Sequence, residues 1–100
     1  VRHPEEPPEG NVVGQLRNFV RDGRLLSIPT RHAKRLVVLG WLAQRFVPGQ
    51  VYPESEVNAM LSTAHPDYAA LRRYLVDEDF LDRRQGKYWA HRGNVRRRRR

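Results

Sequence analysis

The sequence predicts a mainly helical domain with one small β-hairpin, a winged-helix type of helix-turn-helix preceded by an extra N-terminal helix. Apolar residues recur at helical spacing in four separate segments, and Gly or Pro signals punctuate the gaps between them. The last apolar stretch breaks into two short runs around Gln85-Gly86, which is a hairpin signal. The chain has 100 residues, enough for one domain with a modest core.

Each element has its own local cause. Asn11 is placed to cap a first helix in which Val12, Val13, Leu16, Phe19 and Val20 are spaced for one face, and Asp22-Gly23 marks its stop. Leu25 to Pro29 follows as a short extended piece, because Pro29 disfavours helix at Ile28. Thr30 then caps the longest helix, expected from Arg31 to Phe46. Leu36, Leu39, Gly40, Ala43 and Val47 form one of its faces, while Val37, Val38, Trp41 and Leu42 spread apolar surface further round. Only a strip through Lys34 and Arg45 reads as solvated, so this helix needs partners on more than one side. The Asn11–Arg21 helix is one candidate partner; a homodimer interface is the other.

Pro48-Gly49 ends the central helix, and Val51-Tyr52 reads as a short strand. Pro53 fixes φ for the next helix, with Glu54 and Glu56 at the positive end of its dipole and Val57, Met60 and Leu61 as its buried stripe. After His65-Pro66, Asp67 caps a third helix ending at Asp77 or Glu78. Tyr68, Leu71 and Leu75 point to one side of it; Ala69, Arg72, Arg73 and Val76 spread over the other. Phe80–Arg84 and Lys87–Ala90 then make the hairpin, through a turn of two residues or more. Residues 1–10 read as a disordered Pro- and Glu-rich lead-in, 11–90 as the domain, and 91–100 as a disordered Arg-rich tail.

The net charge of +8 is unevenly spread. Six of the 19 basic residues are Arg92 and Arg96 to Arg100, and residues 11–90 hold 12 basic groups against eight acidic ones. The domain is therefore mildly basic, and the strongest attraction for a polyanion lies in the tail. Absence of cysteine excludes a disulfide framework and a thiolate metal site, and fits a reducing cytoplasm. No apolar run is long enough for a membrane span, and the N-terminus has no signal-like apolar region.

Five blocks also stand in a recognisable order: Gly23-Arg-Leu-Leu-Ser-Ile-Pro29, Lys34-Arg-Leu-Val-Val-Leu39, Tyr52-Pro-Glu-Ser-Glu-Val-Asn58, the run from Asp67 to Asp77, and Leu81-Asp-Arg83 before Gly86-Lys-Tyr88. This series resembles the bacterial family filed as domain of unknown function 2087, over roughly residues 19–90. The resemblance implies a module found alone or behind helix-turn-helix regulators of the arsenic-repressor type, with no activity assigned to it. Pro53 stands where a capping Ser or Thr is more usual, and the five-Arg C-terminus lies outside the family pattern.

The candidate binding residues follow from the fold. Arg73, helped by Arg72 and the small Ala69, would face a DNA groove from the third helix. The structural alternative pairs Arg72 or Arg73 with Asp67, Asp77, Glu78 or Asp82. Arg83, Arg84 and Lys87 would lie along phosphates as a basic wing, or merely solvate a hairpin. Arg96, Arg97, Arg98, Arg99 and Arg100 would add affinity without sequence preference. Tyr52, Tyr74, Tyr88 and Trp89 could stack on bases, whereas Phe19, Phe46, Tyr68 and Phe80 belong in the core.

Nothing points to catalysis, a metal or a cofactor. His3, His32, His65 and His91 lack metal-ligand spacing, Glu54 and Glu56 face different ways, and Ser55 and Ser62 have no nucleophile context. The expected function is non-enzymatic binding of nucleic acid, DNA before RNA, within a transcriptional regulator. The alternative is a protein-interaction or effector module that dimerises through the Leu39–Leu42 region or the Val12–Val20 helix.

Overall fold

A computed structural model describes residue 14 and residues 16–91. Helical backbone at residues 16–19 leads into β1 (Val20–Arg21) and β2 (Arg24–Leu25). There follow α1 (His32–Ala43), β3 (Tyr52–Pro53), α2 (Glu54–Ser62), α3 (Tyr68–Asp77), β4 (Leu81–Arg84) and β5 (Lys87–Ala90). The last three strands form an antiparallel sheet in the order β3-β5-β4. A helix, a strand, two helices and a hairpin returning to that strand make a winged helix.

The expected first helix stops short of Arg21. Val20 pairs with Leu25 instead, across a two-residue turn in which Asp22 (φ 55°) and Gly23 (φ 78°) both have positive φ. That geometry matches the twist of antiparallel strands, so the Asp-Gly pair closes a hairpin where the sequence reading made it a helix stop. The hairpin docks on the end of α2: Leu25 N–H donates to Ala64 O at 2.8 Å, and Arg24 Nη1 to Thr63 O at 3.1 Å. Arg45 completes the joint. Expected on a solvated strip, it lies over the Trp41 ring and donates to Gly23 O at 2.7 Å and Thr63 Oγ1 at 3.2 Å.

Helix α1 starts one residue later than expected, with Arg31 rather than Thr30 at its cap and no side-chain cap bond. It also ends early, at Ala43, so Val47 leaves the apolar face on which helical projection put it and is exposed. Leu39 and Leu42 are fully buried within the domain's own core, whereas Gly40 and Trp41 between them are only partly buried. Helix α2 begins after Pro53, whose φ of −69° suits the position although it offers no cap bond. Asp67 caps α3 as expected, Oδ1 accepting from Ala70 N–H.

At the far end of α3, Asp79 takes the left-handed position (φ 66°) that glycine usually fills. Phe80 N–H then bonds back to Leu75 O and Asp79 N–H to Val76 O, closing a Schellman turn into the wing. The core joins Val38, Leu39, Leu42 and Phe46 of the α1 region to Val57, Leu61, Leu71, Leu75, Leu81 and Tyr88. Tyr68, expected inside, is exposed at the start of α3.

Candidate nucleic-acid interface

Burying Leu71 and Leu75 turns the opposite side of α3 outward. Ala69, Arg73 and Asp77, spaced four apart, form its exposed strip, with Tyr68 beside Ala69. Among the described residues, Arg73 has no hydrogen-bond or ion-pair partner. Arg72 is placed differently. Its Nη1 hydrogen-bonds Asn58 Oδ1 and lies 3.8 Å from Glu54 Oε2. The anticipated ion pair thus exists but runs back to α2, against which α3 packs, rather than to Asp67, Asp77, Glu78 or Asp82.

Glu54 is shared. Its Oε1 accepts a hydrogen bond from the Tyr88 hydroxyl at 2.9 Å, so one polar network ties α2, α3 and β5 together. Burial, and then the Glu54 carboxylate, push the Tyr88 phenol above its ordinary pKa. Tyr88 is therefore a core residue, as is Tyr52 opposite it in the sheet; neither is a stacking platform. Tyr74 is also occupied, with the Arg35 guanidinium 4.6 Å over its ring. Trp89 is half-buried opposite Asp82.

The wing turns through Gln85 (φ 51°) and Gly86 (φ 78°), a two-residue connection that fixes the register. Arg83 pairs with Tyr88 and Arg84 with Lys87. Because partners across a ladder share a face, Arg83 stands on the Tyr88 side toward α3, while Arg84 and Lys87 stand on the other. The expected single wing-tip patch is thus two. Between α3 and the wing runs a cleft of about 380 Å³, lined by Arg72, Arg73, Arg83 and Asp77, with Ala69, Val76 and Tyr88 completing its walls.

The histidines within the described chain do structural jobs. His32 Nε2 meets Glu78 Oε2 at 3.0 Å, His65 Nδ1 accepts from Asp67 N–H, and His91 Nδ1 lies 3.5 Å from Asp82. Among the described residues no group of three or more His, Cys, Asp or Glu could hold a metal, and no helix is long and apolar enough to cross a membrane. Arg96 to Arg100 lie outside the described residues.

Residues 24–90 match the model of the family described as "Uncharacterized protein conserved in bacteria (DUF2087)". The chain belongs to this family. No curated protein matches it, and no solved structure does. The DUF2087 match opens at β2 and closes with β5, so it takes in the helix-turn-helix, the wing and the cleft. It leaves out β1 and the Arg-rich end. Sequence reasoning missed three contributors to this face. Tyr68 was assigned to the core by its spacing with Leu71 and Leu75; Asn58 acts through Arg72 and Glu54 through both Arg72 and Tyr88, pairings no local pattern announces.

Proposed function

We propose that this domain is a non-enzymatic nucleic-acid-binding module of a cytoplasmic transcriptional regulator, with double-stranded DNA as its preferred ligand. The observation that carries the reading is Arg73: an arginine without a partner among the described residues, on the outward strip of the second helix of a helix-turn-helix, next to a small Ala69. An arginine so placed can take a guanine edge, and Ala69 permits close approach of the helix. Asp77 and Glu78 make the C-terminal end of α3 acidic, so its first two turns, with Tyr68, Ala69 and Arg73, enter the groove. Arg84 and Lys87 sit directly opposite each other on β4 and β5, where like charges repel unless an anion lies between them. A backbone phosphate would relieve that repulsion, and Arg83 and the Arg96–Arg100 run would add further phosphate contacts.

Anisotropy titrations of the full chain against random and GC-rich duplexes test this. Binding should weaken steeply with added salt, and Arg73→Ala should weaken it about tenfold to a hundredfold while flattening preference among sequences. No binding to any DNA or RNA at low salt would sink the proposal. A second reading has one observation in its favour. Val47 and Val51 are both more than half exposed on the connection between α1 and β3, which suits a protein partner. Self-association of the chain without nucleic-acid binding would move the assignment there.

A further inference from the structure

We infer that the cleft between α3 and the wing seats one phosphoryl group, gripped by Arg73 and Arg83 above a fixed Arg72. Three guanidinium groups from two different elements line it, against the carboxylate of Asp77 in the lining and that of Glu54 behind Arg72, which leaves the cleft net positive. Planar guanidinium forks match phosphate oxygens, and placing them on a helix and a strand lets them approach one oxygen cluster from two sides. Arg72 is held by Asn58 and Glu54, so its part of the site is already organised before a ligand arrives. Arg83 stands on the Tyr88 side of the hairpin, within hydrogen-bonding reach of the Tyr88 hydroxyl, and is therefore already aimed at the cleft. Arg73, by contrast, has no internal partner among the described residues and is free to close on a ligand.

The remaining walls narrow the ligand. Ala69, Val76 and Tyr88 give an apolar flank, and about 380 Å³ exceeds what a bare phosphate fills. The cleft therefore suits a phosphoryl group carrying a further moiety that lies against this flank. The Asp77 carboxylate disfavours a second phosphate inside the cleft, so the cleft itself holds one group. The group can come from a nucleic-acid backbone, in which case Arg73 divides its five donors between that phosphate and the base edge, or from a phosphorylated small molecule; only that choice of source rests on the proposed function.

The experiment follows amide and arginine side-chain resonances of the full chain during titration with inorganic phosphate at constant ionic strength. Saturable shifts should concentrate at Ala69, Arg72, Arg73, Arg83 and Tyr88. Arg83→Gln should raise the midpoint about tenfold, while Arg21→Gln, which removes the same charge from β1, should move it less than about twofold. Shifts that fail to saturate, or that spread evenly to Arg24, Arg31 and Lys34, would overturn the site. A labelled duplex then identifies the source. Phosphate that competes with duplex for the wild-type chain but not for Arg83→Gln assigns the group to the backbone. Phosphate saturation without any duplex binding keeps the site, assigns it to a small molecule and ends the nucleic-acid reading. Duplex binding with the cleft untouched by phosphate ends this inference alone.

Discussion

Tyr88 enters the core from the middle strand of the sheet with its hydroxyl donated to Glu54, and its pKa is raised above the ordinary 10.0 first by burial and then by that carboxylate. A raised folded-state pKa favours the neutral phenol. Its contribution is complete below about pH 10, where the unfolded chain also keeps its proton, and is lost as pH rises through the folded value. Tyr88→Phe should therefore cost about 1–2 kcal/mol near neutral pH, through the lost hydrogen bond to a charged acceptor. It should also flatten the fall in stability above about pH 10. Urea unfolding of both proteins from about pH 8 to 11 checks this, and parallel curves would show that Tyr88 does not titrate with folding. The same substitution loosens Glu54 and hence Arg72, so nucleic-acid affinity should fall although Tyr88 itself makes no proposed contact with a base.

At the level of elements, α1 carries a glycine inside its C-terminal third where a methyl group fits. A methyl group at Gly40 would meet Phe80 Cε1 at 3.7 Å, an ordinary contact. Gly40→Ala should raise stability by about 0.5–1 kcal/mol, by lowering the entropy lost on forming the helix, with a corresponding rise in Tm by calorimetry. A drop would mean that Phe80 cannot yield the space. The elements also show which features were legible in the sequence. The Asp67 cap, the Gly86 turn and the buried Leu71–Leu75 stripe are local, and each was readable from a few adjacent residues. The Asp22-Gly23 hairpin had an equally local signal, but Leu16 and Val20 also fit a helix, and that period hid it. Arg45, Val47 and Tyr68 were misplaced for another reason. Their positions depend on where α1 ends and on how β1–β2 and α3 dock, which are long-range facts that periodicity along one element does not contain. For the site, Arg73 and Ala69 were legible as an outward face, whereas the opposite facing of Arg83 and Arg84 needed the hairpin register.

For the whole molecule, the proposed function gives the uneven distribution of charge a consequence: two kinds of binding that can be measured apart. Residues 11–90 hold 12 basic and eight acidic groups, whereas Arg92 and Arg96–Arg100 add six cations with no acid beside them. Phosphates neutralised by such a run release counterions in proportion to their number, which gives affinity without regard to base sequence. The outward face of α3 is where sequence would be read, by few contacts of modest individual strength. A chain ending at His91 should therefore lose affinity for every duplex by a similar factor, and its log–log salt slope should shrink by about five units. The ratio between a preferred and a random duplex should stay within about twofold, because the groups proposed to set it are on α3 and the wing. Anisotropy over a range of salt concentrations measures both quantities on the same samples. If truncation instead erased the ratio together with the affinity, discrimination would reside in the Arg-rich end, and Arg73→Ala in the full chain would then leave binding unchanged.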